Sequence, residues 1–150
     1  MELTTEVIKQ LREQTGVSVM QCKKALEEAG GDLAKAEIIL RKSSGASAHR
    51  KAERELKAGA IGSYTHDGVV GAMVLLSCET DFVAKNSEFS ALARELAMQV
   101  AAMDPETADA LLEQPYIKDA SKTVADLVSG ATQKFGERVE VSQMARFSAR

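Results

Sequence analysis

Cys22 and Cys78, His49 and His66, and the acidic pair Glu79 and Asp81 are the residues of this 150-residue chain best suited to chemistry. Nucleophilic catalysis needs a thiol or hydroxyl with a base beside it. Cys22 falls on the apolar face of a helix pattern, where a buried structural thiol is expected. Cys78 lies beside Glu79 and Asp81, whose negative charge raises a thiol pKa. His49 sits in a basic stretch and His66 at a turn, neither with an evident carboxylate or nucleophile beside it. Glu79 and Asp81 lack the further oxygen ligands that a hard divalent cation requires. The glycines Gly30-Gly31 and Gly59-x-x-Gly62 lack the spacing and the Lys-Ser/Thr of a phosphate loop. The pattern predicts no bond chemistry, no metal and no cofactor, and leaves surface recognition.

The segment best suited to recognition is Cys78-Glu79-Thr80-Asp81-Phe82-Val83-Ala84-Lys85-Asn86. It follows the apolar run Val69–Leu76 and precedes a helix pattern opening at Ser87, so the chain turns a tight corner there, and corners lie at the surface. Two readings of Phe82 stand at this point: a hydrophobic staple over the local core, or an exposed ring beside Asp81 that enters a partner. A second candidate patch joins Arg12 with Val19 and Met20 around the Gly16 turn, an apolar and cationic mixture favoured at interfaces. Met20 reads equally well as filler of a helical core.

The elements that must position these residues follow from periodicity. Leu3, Val7, Ile8 and Leu11 share one helical face behind an N-cap at Thr4 or Thr5, and Gly16 ends that helix. Ser18-x-x-Gln21 is a capping-box pattern for a second helix through Cys22, Ala25, Leu26 and Ala29, stopped by Gly30-Gly31. Asp32 caps a third with Leu33, Ala36, Ile39 and Leu40. Ser43-Ser44-Gly45-Ala46-Ser47 reads as a break, and residues 48–57 as an exposed basic helix.

Asp67-Gly68 between two apolar runs predicts a hairpin. A long helix from Ser87 carries Phe89, Leu92, Ala93, Leu96, Val100 and Met103. A short helical piece restarts at Asp104-Pro105 and ends before Pro115, and Tyr116–Lys118 is extended or a turn. A last helix holds Val124, Leu127, Val128, Ala131 and Phe135, and a strand alternates through Val139, Val141, Gln143, Ala145 and Phe147. The order predicts an α+β fold: a helical bundle over residues 1–42, a basic linker helix over 43–58, and a core over 59–150 with helices on one face of a three-stranded antiparallel sheet.

Charge is uneven. Residues 41–58 hold six basic and two acidic side chains, while the whole chain carries −3. That segment has no aromatics for base stacking, so a solvated linker is favoured over an RNA-binding strip. No apolar run is long enough to cross a membrane, the first residues lack a secretory pattern, and two widely spaced cysteines make no disulfide framework. A cytoplasmic protein with neither nucleic-acid nor membrane partners is expected.

Leu11-Arg12-Glu13-Gln14-Thr15-Gly16 with Met20-Gln21-Cys22-Lys23-Lys24-Ala25-Leu26 resembles the N-terminal signature of the elongation factor Ts family. Cys78–Asn86 resembles its second signature, and Gln114–Lys118 with Phe135-Gly136-Glu137-Arg138-Val139 resembles its C-terminal core. The resemblance implies a translation factor that promotes GDP release from elongation factor Tu. It implies that the N-terminal bundle is a ubiquitin-associated-like module docking through Arg12, Val19 and Met20. It also implies that Thr80, Asp81, Phe82 and Val83 enter the GTPase near its magnesium site, with Phe82 as the wedge and Asp81 as a polar contact beside it. Gln21 stands where the family usually has Asp, and Val19 where Met is common. The chain has one core unit, without the insertion or second core subdomain of longer members, so contacts to the partner's other domains are expected to be reduced, or restored by a second copy in a homodimer. An adaptor that binds without regard to nucleotide is the alternative from another class.

Overall fold

The computed structural model describes residues 5–50 and 54–150, with side chains of residues 44–50 outside the description. Leu3, Thr4 and residues 51–53 of the expected elements therefore fall outside it, as does the side chain of His49. Three helices come first: α1 (Thr5–Thr15), α2 (Val19–Glu28) and α3 (Leu33–Arg50). Each opens or closes where local chemistry dictates. The turn after α1 passes through Gly16 at φ 72°, in the left-handed region that suits a residue without Cβ. Ser18 caps α2 by accepting the N–H of Gln21, and Asp32 Oδ1 accepts the N–H of Ala34 at 3.0 Å at the start of α3. Leu11, Val17, Cys22, Ala25, Leu26, Ala36 and Leu40 form a small buried cluster between the three helices.

The break expected at Ser43–Ser47 is absent. α3 runs through it to Arg50, and residues 54–57, expected to be helical, are not. One glycine costs an α-helix only about 1 kcal/mol, and Ser and Ala cost less, so tertiary packing decides such a stretch. α3 packs against both α2 and α7.

The remainder is an antiparallel sheet with helices on one face. Strand β1 (Ala58–His66) turns through Asp67-Gly68, both at positive φ, into β2 (Val70–Cys78). The order in the sheet is β1-β2-β5, with β5 at Glu140–Ser148. Between them lie α4 (Asp81–Ala84), α5 (Ser87–Met103), α6 (Ala108–Glu113), the two-stranded pair β3 (Pro115–Tyr116) and β4 (Asp119–Thr123), and α7 (Val124–Phe135). The sheet, the long helices and the final strand agree with the sequence reading. α6 begins after its cap Thr107 rather than at Pro105, and the β3–β4 pair was foreseen only as an extended or turning segment.

α5 lies directly on β1 because Gly62 has no side chain. A Cβ built there would sit 2.1 Å from the carbonyl carbon of Ala93. Phe89, Ala93, Leu96, Ala97 and Val100 of α5 then meet Ala72, Val74, Leu76 and Cys78 of β2 in the main core, while Met103 of the expected stripe is exposed. Phe89 and Phe135 join α5 to α7 edge to face, with centroids 5.8 Å apart. Gln99, fully buried, holds the β3–β4 hairpin: its amide nitrogen donates to Gln114 Oε1 (3.2 Å) and the Pro115 carbonyl (3.0 Å), and its oxygen accepts the N–H of Ile117 (3.0 Å).

β5 does not alternate as a simple strand. Leu76 pairs with Val141 but Leu75 with Gln143, so Ser142 is an extra residue. This bulge reverses the parity of everything after it. Val141, Met144 and Arg146 face the helices, and Phe147 is turned to the open face with Ile61 and Met73, all three exposed.

Candidate partner-binding site

The corner is built from three short-range devices. Cys78 ends β2, and Thr80, with an extended backbone (φ −127°, ψ 152°), caps the single turn α4 by accepting the N–H of Val83. Asn86 then caps α5 by accepting the N–H of Glu88 at 2.8 Å. Two N-caps six residues apart leave no slack between the strand and the long helix. Val83 and Ala84 are buried in the main core. Phe82, between them and Thr80, is 86% exposed, and Asp81 beside it is exposed as well. The staple reading of Phe82 is thereby overturned: the ring covers no part of its own core.

Charged residues from far along the sequence tie the corner down. Glu137 Oε1 accepts the N–H groups of Glu79 (3.1 Å) and Thr80 (3.0 Å), and its Oε2 accepts the hydroxyl of Thr80 (2.6 Å). In return Glu79 Oε2 accepts the N–H of Arg138 at 2.6 Å and lies 3.5 Å from Arg54 Nη1. Arg138 Nη1 donates to the carbonyl of Arg54 (2.6 Å). Sequence reasoning considers Glu79 only as a metal ligand and as a charge beside Cys78, and does not find Glu137, Arg138 or Arg54 as functional residues. More than fifty residues separate the two halves of this clasp, and no local pattern signals it.

Cys78, buried at the strand end, donates its thiol to the carbonyl of Thr80 at 3.3 Å. Burial pushes its pKa up, and the charges of Glu137 and Asp81 add to the effect. Glu79, expected to contribute, is turned instead toward Arg138 and Arg54. Cys22 is likewise buried, its Sγ donating to the Val17 carbonyl at 3.6 Å. His66 does have neighbours, contrary to expectation: Asp67 Oδ2 lies 3.4 Å from its Nε2 and the Tyr64 hydroxyl 3.0 Å from its Nδ1. All three lie on the hairpin of β1 and β2. Among the described residues no group of three or more His, Cys, Asp or Glu is placed to hold a metal, and no helix is long and apolar enough to cross a membrane.

The second patch is at the mouth of α2. Met20 is 83% exposed and Val19 53%, so Met20 does not fill the bundle core. Arg12 is also exposed, and its carbonyl accepts the N–H of Gly16 at 2.7 Å to close the intervening turn. This turn abuts the core. Lys134 of α7 reaches over Gly16 and pairs with Glu88 in the first turn of α5, two residues past the cap Asn86. Gln133 donates to Gln21 Oε1 at 3.0 Å. The structure therefore groups Thr80–Val83 in one corner and Arg12, Val19 and Met20 around one turn. The Lys134–Glu88 pair lies between the Gly16 turn and the start of α5.

Both patches present solvent-facing apolar side chains on hydrogen-bonded turns, an arrangement suited to recognition. Residues 79–150, starting at the corner, match the family model described as Elongation factor TS. Proteins named elongation factor Ts align over almost the whole chain. That of Thermodesulfovibrio yellowstonii is 38% identical over 191 aligned positions, covering 98% of this chain and 96% of the relative. That of Thermotoga petrophila is 39% identical with the same coverage, and that of Solibacter usitatus 38% identical over 97% of this chain and 91% of its own length. The alignments are longer than the chain itself, so these relatives carry residues within the aligned span that have no counterpart here. The chain belongs to the elongation factor Ts family, translation elongation factors of protein biosynthesis.

Proposed function

We propose that this protein is a cytoplasmic guanine nucleotide exchange factor for elongation factor Tu, acting through binding and without bond chemistry. The observation that carries this is the ring of Phe82, open to solvent on a corner whose flanking residues are fixed. The helices up to Lys42 dock on the GTPase through Arg12, Val19 and Met20, the basic segment 43–58 links them to the core, and the core delivers residues 80–83. Phe82 wedges between partner side chains near the bound magnesium ion, Asp81 supplies a polar contact beside it, and Thr80 and Val83 brace the turn. Displacing the ion would leave the negative charge of the phosphates unneutralised and so loosen the nucleotide.

The coupling is reciprocal: a factor that weakens GDP binding is itself bound more weakly when GDP is present, by the same free energy. Such couplings are typically about 1–3 kcal/mol, and ejecting a tightly held nucleotide demands the upper end or more. A stiff corner matters here because a loose one would spend insertion energy on its own ordering. The test is release of fluorescent GDP from elongation factor Tu with and without this protein. Acceleration together with weaker binding of the factor to the GDP-bound GTPase is expected, and an unchanged release rate refutes the reading.

The open face of the sheet supports self-association as well. Ile61, Met73 and Phe147 form an apolar surface that no element of the described chain covers. Burial against a second copy accounts for it, and sedimentation should show a dimer that Phe147→Lys converts to monomer.

A further inference from the structure

We infer that Glu137 is a positioning residue for nucleotide exchange, whose carboxylate locks Thr80 and so fixes the pose in which Phe82 meets the partner. This rests on the wedge reading above and names the group that makes the wedge stiff.

α4 is a single turn, too short to hold its shape by its own hydrogen bonds. Its downstream side is anchored by burial of Val83 and Ala84. Its upstream side, Glu79-Thr80, has no apolar anchor, since Thr80 is exposed and Glu79 only half-buried. Glu137 supplies what is missing there. One carboxylate takes three hydrogen bonds from two consecutive residues: both backbone N–H groups and the Thr80 hydroxyl. Bonds to an ionised acceptor are shorter and stronger than neutral ones.

The 2.6 Å contact has a second effect. Because the Thr80 hydroxyl gives its proton to Glu137, its lone pairs remain for the N–H of Val83, the very bond that starts α4. Glu137 thus orients the cap as well as the backbone before it. Phe82 sits between this cap and the buried Val83, so its Cα is held from both sides.

The carboxylate can reach because α7 ends at Gly136, which reverses the chain at φ 71°. The following N–H of Arg138 returns the contact to Glu79, so the two turns hold each other. Glu137 is half-buried, and its three hydrogen bonds all come from Glu79 and Thr80.

The experiment titrates the full chain carrying Glu137→Ala against elongation factor Tu loaded with fluorescent GDP, following release to saturation. The expected result is a maximal rate lowered about tenfold, equivalent to one charge-assisted hydrogen bond, with the half-saturating concentration changed less than about twofold. Glu137→Gln keeps an oxygen for the two N–H groups and can donate to the Thr80 hydroxyl, so it recovers to within roughly threefold of the parent. Amide hydrogen exchange in Glu137→Ala should accelerate at residues 79–84 and not across the sheet.

A parental maximal rate in Glu137→Ala overturns the inference, as does faster exchange throughout the core or a Gln variant as slow as the Ala variant. Phe82→Ala run alongside separates the two levels: slow release there with a fast Glu137→Ala sinks the brace alone, whereas parental release with Phe82→Ala sinks the wedge reading too. Should Glu137→Ala fail to fold, Thr80→Val, which removes at equal volume both the hydroxyl's bond to Glu137 and its cap on α4, is followed in the same titration, and a parental maximal rate there overturns the inference.

Discussion

Phe82→Ala separates folding from function. The ring is 86% exposed and is not a member of the buried cluster, so its removal should change stability by no more than about 0.5 kcal/mol. On the proposed wedge, the same ring passes from water into a protein environment in the complex. Full burial of a Phe side chain yields about 1.5–3 kcal/mol. If that energy is realised only while the nucleotide site is being opened, it appears in the maximal exchange rate as a loss of roughly 10- to 150-fold. If it is realised equally in every bound state, it appears in the half-saturating concentration instead. The assay is stopped-flow release of fluorescent GDP across a concentration series of the factor, with a denaturant melt of the variant alone. A maximal rate within twofold of the parent, in a variant that melts normally, would refute the wedge. A variant that fails to fold would show that the corner has a structural role its exposure conceals.

Met20→Asp, at the exposed mouth of α2, should raise the concentration needed for half-maximal exchange by about tenfold while leaving the saturated rate nearly unchanged, as read in the same titration. Gly62→Ala forces a Cβ into the backbone of α5 and should cost about 1–3 kcal/mol or more in urea denaturation, since neither strand nor helix backbone yields easily. Glu95 tests the acid limb of stability. Burial alone would raise its pKa, but the hydrogen bonds from Lys118 and Tyr116 outweigh this and hold it below the ordinary carboxylate value. A depressed carboxylate contributes stability above its unfolded pKa, near 4.3, and that contribution is lost as the pH falls toward the lower folded pKa. Glu95→Gln should therefore flatten the fall of melting temperature below about pH 4 relative to the parent.

The elements most legible in the sequence are those with long apolar periods or strong punctuation. The Asp67-Gly68 hairpin, the helices ended by Gly16 and Gly136, and the Ser18 and Asp32 caps all follow from local chemistry, and the structure has them where the residues require. The elements missed are short: α4 has four residues, β3 two and the polar β4 five. At Ser43–Ser47 the composition suggests a break, yet neighbours on two sides of α3 sustain the helix. Phe147 misleads in another way, because an inserted Ser142 is invisible to a pattern of alternation but reverses it. At the corner, exposure of Phe82 could be argued from residue types, with the staple as a competitor. Glu137 could not, because it lies on the other side of a fold that must form before the contact exists.

Gln99 carries a consequence for how this chain can vary. It grips the hairpin by its peptide groups, through the carbonyl of Pro115 and the amide of Ile117, and only once by a side chain. A reader of main chain is indifferent to the letters written on it. Tyr116 and Lys118 answer to Glu95, Asp119 to Ser121 and Thr123 to the cap of α7; the remaining letters of the hairpin are open to respelling. Gln99 itself is not: Glu offers no donor and would bring a charge into a dry interior, while Leu would strand two polar peptide groups.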